Sequence, residues 1–371
     1  MGILVQWALV AGGLLAGVFL GEIAVGWMAP QLYSRPPVWR YDSRLGWSHI
    51  PGAQGRQVSP EFDVDYRINA AGQRDRPFPP PGKAAGARLL LFGDSFVEGW
   101  GVEADERVDR HLAEALAGAE VLNFGVAGYG TDQELLLFES KGKAYAPSRV
   151  LVFYYANDLW NNVSPKGIGA ERGYKPIFKP APGGLRLEGV PVPESPFWDE
   201  RYWSSRPWTA RADRYLRQRW HLYVLGAKAL APEIRRPQQQ QFYQGLYGAD
   251  NPERFRPVWQ RTEAVLAAFN QAIKKAGAHM TLVYVPAIVQ VEDDNWRTKR
   301  ELNGLVGEFD LGRPNRELAG IAQRHGIDFV DLYPDFAAAE KGLYFRDSHW
   351  NPAGHRLAAH ALAKHLQRGG L

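Results

Sequence analysis

Residues 89–95 read LLLFGDS, an apolar run of strand length followed by a polar turn that ends in Ser95. More than 250 residues later the chain reads Asp-Ser-His at 347–349. A serine nucleophile needs an imidazole to take its proton and a carboxylate to hold that imidazole in the right tautomer. The two stretches supply all three side-chain types. Taken alone, Gly-Asp-Ser also suits an ordinary turn, so the prediction that Ser95 is a nucleophile depends on further segments.

Two further segments join a strand pattern to groups that can bind an oxyanion. Residues 121–131 run from a short apolar strand into a glycine-rich loop containing Gly128, where backbone N–H groups can approach a bound oxygen closely. Residues 150–158 form an apolar strand pattern that ends near Asn157, whose amide can donate to a developing oxyanion.

Strand and helix patterns alternate from residue 88 onward. Such alternation predicts an α/β fold with a mostly parallel sheet and helices on both faces. The predicted helices lie near 106–116, from 132, at 257–276 and at 315–325, and the strands at 89–92, 121, 150, 280–285 and 328–332. Because open α/β sheets bind ligands at the carboxyl ends of their strands, we expect the site residues to meet there.

The chain resembles the SGNH (GDSL-type) hydrolase superfamily. The four sequence blocks of that family occur in order: GDS with Ser95, GVAGYG with Gly128, YYAND with Asn157, and DSHWNPAGH with His349. The resemblance covers roughly residues 88–158 and 260–366. It implies a flavodoxin-like three-layer sandwich with a mostly parallel sheet.

The resemblance also implies roles for individual residues. Ser95 would be the nucleophile, His349 the base and Asp347 its orienter. The backbone N–H groups of Ser95 and Gly128 and the side chain of Asn157 would form the oxyanion hole. The implied reaction is ester hydrolysis through an acyl-enzyme, and it needs no cofactor.

One spacing departs from the family pattern. The family places its aspartate three residues before the histidine, whereas Asp347 precedes His349 by two. The Asp-x-His-Trp form also resembles alginate-type polysaccharide O-acetyltransferases, although those proteins place the motif before the serine. Acyl transfer to a sugar, a lipid-directed esterase or thioesterase, and an inactive glycan-binding scaffold therefore stay open beside hydrolysis.

Other titratable residues compete for these roles. Asp94 and Asp158 are interpreted as carboxylates that tie loops through backbone amides. The sequence contains no HExxH or comparable ligand spacing, so we predict no metal site. The histidines of the terminal helical pattern at 352–367 are interpreted as solvated or structural: His355, His360 and His365.

Charge and composition exclude some classes of partner. The chain has 44 basic and 40 acidic residues, a formal net charge of +4, and no basic stripe with interleaved aromatic residues. This balance argues against nucleic acid as a partner. The expected partners are an acylated glycan or a lipid ester as substrate, and a membrane. The sequence names no protein partner.

The N-terminal segment predicts a membrane anchor. Between Gly2 and Pro30 the only ionisable side chain is Glu22, and the apolar stretch is longer than the roughly 20 residues that span a bilayer. A cleaved signal peptide and a buried hydrophobic helix are the alternatives. Trp7 and Trp27 stand near its two ends, where they would suit the membrane interfaces.

Two arguments disagree on orientation. The arginines that follow the apolar stretch, Arg35, Arg40 and Arg44, would keep the following domain in the cytoplasm under the positive-inside rule. The family resemblance implies an envelope enzyme instead. We expect a single-pass protein of the bacterial inner membrane with its catalytic domain on the periplasmic side.

These features divide the chain into an anchor at 1–30, a lead-in at 31–87 and a hydrolase-like domain at 88–371 with an aromatic-rich insertion at 159–256. We expect the insertion to lie over the site. Its indoles either stack on sugar rings or, as we favour for most of them, form a satellite hydrophobic core: Trp160, Trp198, Trp203, Trp208 and Trp220. The arginine-rich helical pattern at 210–230 either lies on an anionic membrane surface or packs as a solvated helix, the interpretation we favour.

Overall fold

The computed structural model describes residues 2–82, 84, 86–166, 173–195, 198, 204–230, 237–250 and 252–369. The strands are β1 (Trp39–Asp42), β2 (Gly46–His49), β3 (Gln54–Val58), β4 (Asp63–Arg67), β5 (Arg88–Phe92), β6 (Glu120–Asn123), β7 (Arg149–Tyr154), β8 (Ile177–Ala181), β9 (Gly184–Glu188), β10 (His279–Tyr284) and β11 (Asp328–Asp331). The helices are α1 (Gly2–Met28), α2 (Ser95–Glu98), α3 (Val108–Ala115), α4 (Thr131–Ser140), α5 (Asp158–Asn161), α6 (Trp208–Arg217), α7 (His221–Leu230), α8 (Pro237–Tyr247), α9 (Pro252–Lys275), α10 (Ile288–Val291), α11 (Asp293–Leu302), α12 (Arg313–His325), α13 (Tyr333–Ala338) and α14 (Pro352–Gly369).

The central sheet has the strand order β11-β10-β7-β5-β6, and every pair in it is parallel. Leu91 of β5 pairs with Asn123 on one side and with Leu151 on the other. The middle strands β5 and β7 are almost wholly buried, as expected for parallel strands covered on both faces. The mostly parallel sheet predicted from the alternating pattern is confirmed.

Helices cover both faces of the sheet. The connection from β5 to β6 crosses the sheet in one direction, and that from β6 to β7 returns in the other. Right-handed crossovers therefore place α3 and α4 on opposite faces. Helix α14 packs against α3, and α9 packs against α4. The expected three-layer α/β architecture is confirmed.

The lead-in forms two antiparallel hairpins, β1–β2 and β3–β4. The first hairpin packs directly on the glycine-rich loop that follows β6. The buried indole of Trp47 donates to the carbonyl of Ala127 at 3.2 Å, and the Tyr129 hydroxyl donates to the carbonyl of Trp47 at 2.5 Å. The lead-in thus supports this loop from outside the sheet.

The insertion differs from its predicted form in two respects. The helical pattern at 210–230 forms two helices, α6 and α7, because the chain turns at residues 218–220. Of the indoles expected to form mostly a satellite core, Trp160 and Trp198 pack against the main core instead, whereas Trp208 and Trp220 are exposed. Trp203 lies outside the described residues.

A buried ion pair fixes the start of the insertion to the core. The ammonium group of Lys175 donates to Asp132 on α4 at 2.5 Å, and also to the carbonyls of Asn161 and Pro176. Both charged groups are almost fully buried. Burial raises the pKa of Asp132 and lowers that of Lys175, and the charge of each partner opposes that shift in the other. Removing one partner would leave the other charge buried and unpaired.

Helix α1 is apolar and exposed over most of its length, and only four residues near its end are half-buried. Its 27 residues reach a mean hydropathy of 2.2 over an 18-residue window, and none of its side chains is buried. By length and composition this helix can cross a membrane or act as a signal anchor.

Candidate active site

Ser95 stands at the turn between β5 and α2. A Cβ at Gly93 would lie 2.4 Å from a methyl carbon of Val97, so only glycine allows this tight reversal. Asp94 caps α2, since its Oδ1 accepts the backbone N–H of Phe96 at 3.0 Å. The strand-to-helix turn therefore presents Ser95 at the carboxyl edge of the sheet.

His349 meets Ser95 from the other end of the chain. Its Nε2 lies 2.8 Å from the Ser95 Oγ. Two aromatic rings pack near the imidazole, with centroid distances of 5.3 Å to Phe96 and 5.4 Å to Trp100, and the plane of the Trp100 ring is inclined by 28° to that of the imidazole. This packing fixes the plane of the imidazole, and 23% exposure of the His349 side chain leaves the site open to solvent.

Asp347 reaches His349 despite the short spacing. Its Oδ1 lies 3.2 Å from Nδ1 of the imidazole and also accepts the backbone N–H of His349 at 3.1 Å. Ser348 lies between the two residues and has a φ of 77°. This left-handed conformation turns the chain so that the carboxylate faces Nδ1 of the imidazole. Among the described residues Nδ1 has no partner with hydrogen-bond geometry, so Oδ1 approaches this nitrogen closely without a well-aligned hydrogen bond.

The second oxygen of Asp347 has two further donors. The indole N–H of Trp100 donates to Oδ2 at 3.0 Å, and the hydroxyl of Tyr33 donates to the same atom at 3.1 Å. Burial alone would raise the pKa of Asp347, but the close imidazole and backbone N–H of His349, together with the Trp100 hydrogen bond, hold that pKa at about 2. Asp347 is therefore ionised at neutral pH.

Gly128 lies in the loop after β6, which packs tightly on the serine helix. A Cβ at Gly125 would lie 2.2 Å from the backbone nitrogen of Glu98, so this loop can approach α2 only with glycine there. Asn123 fastens the loop by donating to the Val97 carbonyl at 2.6 Å. Gly128 itself has a φ of 80°. Among the described residues its N–H has no acceptor, and neither has that of Ser95.

Asn157 follows β7 and contacts the turn that carries the serine. Its Nδ2 donates to Oδ2 of Asp94 at 2.9 Å. An amide nitrogen has two hydrogens, so one donor of Asn157 is left after this bond. Burial raises the pKa of Asp94, although its hydrogen bonds with Phe96 and Asn157 oppose the shift. The structure thus places the Asn157 amide at the same sheet edge as the Ser95 turn.

The two other strand-end acids tie loops, as predicted from the sequence. Asp94 caps α2. Asp158 Oδ1 accepts the backbone N–H of Thr131 at 2.8 Å, and its Oδ2 accepts that of Tyr155 at the same distance. Asp158 therefore joins the end of the glycine-rich loop to the end of β7.

Sequence reasoning missed three residues that support the site. Tyr33 and Trp100 donate to Asp347 as described above. Glu98, buried on α2, accepts the backbone N–H of Ala127 beside Gly128 and lies 3.4 Å from Nε2 of the buried His49. Trp100 and Glu98 stand within five residues of Ser95, a proximity that could have drawn attention to them. Tyr33 is not close in sequence to any of the predicted site residues.

The competing histidines of α14 are structural or surface residues, as predicted. His355 is buried and accepts the backbone N–H of Val108 at 3.2 Å, and His365 contacts Asp328 at 2.9 Å. His360 is exposed. Within the described parts of the chain, no group of three or more acidic or histidine side chains could hold a metal ion.

The insertion contacts several parts of the molecule. Its hairpin β8–β9 packs on α9, α7 packs on α1, and α8 packs on α12. A contact with Asp347 from outside the hydrolase-like core comes from Tyr33 of the lead-in. These contacts do not test the expected position of the insertion over the site, which stays a prediction.

Solved structures that are similar to this chain include SGNH-type and acetyl-ester hydrolases at low sequence identity. A lipolytic protein of the G-D-S-L family from Veillonella parvula is 13% identical, with a TM-score of 0.39, covering 76% of this chain and 100% of its own. The acetyl xylan esterase AlAXEase is 15% identical, with a TM-score of 0.40, covering 75% and 98%. A variant of Axe2, an acetyl-xylooligosaccharide esterase from Geobacillus Stearmophilus, is 14% identical, with a TM-score of 0.40, covering 76% and 95%.

Family models give the assignment. No curated protein matches the chain. The model of the SGNH hydrolase-like domain of the acetyltransferase AlgX matches residues 247–371, which include Asp347 and His349. The model of the GDSL-like lipase/acylhydrolase family matches residues 91–305, which include Ser95, Gly128 and Asn157. Because this second match spans more than half of the sequence, the chain belongs to the GDSL-like lipase/acylhydrolase family.

Proposed function

We propose that this protein is a serine esterase that cleaves O-acyl esters through an acyl-enzyme on Ser95. The observation that carries the proposal is the 2.8 Å contact between Ser95 Oγ and His349 Nε2, with Asp347 3.2 Å from the opposite nitrogen. A serine, an imidazole and an ionised carboxylate in this order can generate and stabilise a nucleophile. Membership of an acylhydrolase family supports the same reaction class.

In the proposed reaction, His349 takes the proton of Ser95 as Oγ bonds to the ester carbonyl carbon. The carbonyl oxygen becomes an oxyanion, and the backbone N–H groups of Ser95 and Gly128 and the remaining donor of Asn157 stabilise it. The C–O bond to the alcohol then breaks, and His349 gives the alcohol its proton. Water then gives a proton to His349 and attacks the acyl carbon; the bond from this carbon to Ser95 Oγ breaks, His349 returns the proton to Oγ, and the acid leaves. Asp347 stabilises the imidazolium in both steps.

We propose an O-acetylated glycan of the cell envelope as the substrate, reached from the periplasmic face of the inner membrane. The match of residues 247–371 to a model named for an acetyltransferase supports an acetyl group. Helix α1 supports a membrane location. Tyr33, which touches Asp347, follows Met28 by five residues, and five residues span at most about 18 Å. The site would thus lie close to the membrane surface.

A second candidate function is acyl transfer from the Ser95 acyl-enzyme to a sugar hydroxyl. The Asp-x-His-Trp form at 347–350 and the match to the AlgX domain favour it. The two functions share every step up to the acyl-enzyme. They differ only in whether water or a sugar hydroxyl reaches the acyl carbon.

The test uses the full chain in detergent with an aryl acetate, with and without an oligosaccharide acceptor. The variants are Ser95→Ala, His349→Ala and Asp347→Asn, and His360→Ala on the surface of α14 is the matched control for histidine loss. For Asp347→Asn we expect kcat to fall on the order of 10³- to 10⁴-fold, because an amide supports the wrong tautomer of the imidazole. Mass spectrometry of the acceptor follows the fate of the acetyl group.

Each outcome supports or contradicts one of the functional hypotheses. Acetate released to water, with turnover lost in the Ser95 and His349 variants, supports the esterase. Acetyl groups on the added sugar support transfer. Turnover that survives Ser95→Ala contradicts the nucleophile assignment. A folded parent that cleaves aryl esters of long-chain acids but not acetate points to a lipid-directed enzyme, and one inactive on every ester points to a glycan-binding scaffold.

A further inference from the structure

Glu22, the only ionisable residue between Gly2 and Pro30, is bound by the insertion. Its Oε1 accepts the backbone N–H of His221 at 2.7 Å, and its Oε2 accepts that of Leu222 at 2.8 Å. These are the first two N–H groups of α7. They have no partner within their own helix, and a carboxylate is favoured at the positive end of the helix dipole. Glu22 therefore caps α7.

Further contacts hold α7 along the end of α1. The backbone N–H of Gln31 donates to Nδ1 of His221 at 2.8 Å, and Lys228 donates to the side chain of Gln31 at 2.9 Å. Glycines on α1 allow the close approach: a Cβ at Gly26 would lie 3.1 Å from the His221 ring. Polar groups thus fasten α7 to α1 and to the residues just after it.

The position of Glu22 along α1 determines where in the bilayer the contact between α1 and α7 lies. Helix α1 has 27 residues, so it is about 40 Å long, whereas the hydrocarbon core of a bilayer is about 30 Å thick. Glu22 lies six residues, or about 9 Å, before the end of the helix at Met28. If the first part of α1 fills the hydrocarbon core, Glu22 and α7 lie at the level of the lipid headgroups.

The arm formed by α6 and α7 presents aromatic and basic side chains to solvent. Trp208, Arg211 and Tyr215 recur at the i, i+3 and i+7 spacing that places them on one face of α6, and all three are exposed. The Arg219 guanidinium lies 4.3 Å from the Tyr215 ring centroid and extends this face. Residues 204–230 contain six basic side chains and one acidic side chain. The exposed fractions of Trp208 and Leu230 are 76% and 86%.

We propose that the α6–α7 arm binds anionic phospholipid headgroups of the same membrane leaflet from which α1 emerges. Indole and phenol rings favour the boundary between headgroups and acyl chains, and arginines pair with lipid phosphates. Attachment to α1 through Glu22 brings this charged, aromatic face to that boundary. The arm then fixes how the globular part is oriented on the membrane. The proposal rests on α1 entering the bilayer and not on the chemistry of Ser95.

The test uses the full chain in nanodiscs of phosphatidylcholine alone or mixed with phosphatidylglycerol. The chain has no cysteine, so single cysteines accept a nitroxide label without background. Gln218→Cys reports on the arm, and Val10→Cys on the part of α1 that precedes Glu22 and would fill the hydrocarbon core. Lys364→Cys, on the exposed side of α14, is the water-exposed control. Collision with oxygen detects lipid, and collision with a nickel chelate detects water.

With phosphatidylglycerol present, we expect the label at 218 to show a several-fold higher ratio of oxygen to nickel collision than the label at 364. When Arg211→Glu and Arg219→Glu are combined with the label at 218, its collision ratio should fall to that of a water-exposed site. The label at 10 should stay in lipid in the same background. Glu22→Leu removes the cap of α7 and should also move the label at 218 into water. Glu22→Gln keeps one acceptor and should have a smaller effect on this label. None of these changes should alter aryl acetate turnover.

Three results would overturn the proposal. A label at 218 as open to nickel as the label at 364 in anionic nanodiscs means that the arm does not touch the lipid. A label at 218 shielded from both reagents means that a protein surface covers this face. A label at 10 that collides with nickel means that α1 is outside the bilayer. Aryl acetate turnover, measured in the same samples, reports separately on the proposed function.

Discussion

The indole N–H of Trp100 donates to Oδ2 of Asp347 at 3.0 Å, while the same indole stacks on the imidazole of His349 at a centroid distance of 5.4 Å. One side chain therefore positions both partners of Ser95. The ring fixes the plane of the imidazole, and the hydrogen bond keeps the other carboxylate oxygen facing Nδ1.

Trp100→Phe separates these two contributions, because it keeps an aromatic ring but removes the donor. We expect kcat for aryl acetate to fall about tenfold, equivalent to about 1.4 kcal/mol of transition-state stabilisation, with little change in KM. Tyr33→Phe removes the other donor to Oδ2 and should have a similar, smaller effect. An unchanged kcat in Trp100→Phe would mean that the hydrogen bond to Oδ2 does not contribute.

The backbone at Ser348 provides a second prediction. Its φ of 77° brings Asp347 back to His349 across a single intervening residue. Glycine adopts this conformation without cost, whereas a β-branched residue does not. We expect Ser348→Gly to keep full activity and to raise the melting temperature slightly. Ser348→Val should lower kcat and destabilise the protein by about 1–2 kcal/mol. Equal activity of the two variants would contradict this role for the turn.

The sequence predicted the strand-end residues well because their positions follow from local patterns. Ser95 and Asn157 each follow an apolar strand, and neighbouring parallel strands end at the same sheet edge. Tyr33 could not be found in this way. It lies 314 residues from Asp347 along the chain, and no periodicity or motif connects the two.

The spacing between Asp347 and His349 shows a different limit of sequence reasoning. In a helix, side chains two residues apart do not face each other, so the carboxylate would not reach Nδ1. The left-handed turn at Ser348 does so, and a serine gives little indication of positive φ. The exposure of Trp208 was missed for a related reason, since composition places indoles in cores unless a partner surface is known.

The packing of the glycine-rich loop on α2 predicts a strong effect of Gly125→Ala. The added methyl group would lie 2.2 Å from the backbone nitrogen of Glu98, so the loop carrying Gly128 must move away from Ser95. We expect a large loss of kcat together with reduced stability. Gly118→Ala is a control for the alanine change, since nothing lies within 4 Å of a Cβ there, although its φ of 91° adds some strain. A fully active Gly125→Ala would show that the loop position does not matter.

His355 predicts a loss of stability in mild acid. Burial lowers its pKa to about 3, Arg107, Arg74 and His111 act in the same direction, and Asp109 opposes them. In the unfolded chain its pKa is about 6.5. As the pH falls through that value, the unfolded state binds a proton that the folded state does not, and unfolding is favoured. The contribution of His355 should amount to about 2 kcal/mol of the free energy of unfolding between about pH 7 and about pH 5.

The comparison for His355 is His355→Asn, whose amide oxygen can replace Nδ1 as the acceptor for the Val108 N–H. Its free energy of unfolding, measured by denaturant titration in detergent, should fall less on acidification than that of the parent. His360→Asn, on the exposed side of the same helix, should follow the parent. A parallel acid response in the parent and His355→Asn would exclude this histidine as a cause.

Glu134 predicts the opposite pH dependence. Its carboxyl is fully buried on α4, and neither oxygen has a partner among the described residues. Burial, reinforced by the charges of Asp158, Asp94 and Asp132, raises its pKa well above the usual value. The folded state therefore keeps a proton that the unfolded chain releases above about pH 4.5. The contribution of this proton to the free energy of unfolding is complete below that pH, and it is lost as the pH rises toward the raised pKa of the folded state.

Glu134→Gln keeps the shape of the side chain and stays neutral at every pH. We expect this variant to melt at a higher temperature than the parent at about pH 8, and the difference to shrink toward about pH 5, because only the parent must retain a proton. Glu139→Gln, on the exposed end of the same helix, should show no such pH-dependent gain. A melting temperature lowered equally at both pH values in Glu134→Gln would mean that the buried carboxyl makes a specific contact that an amide cannot replace.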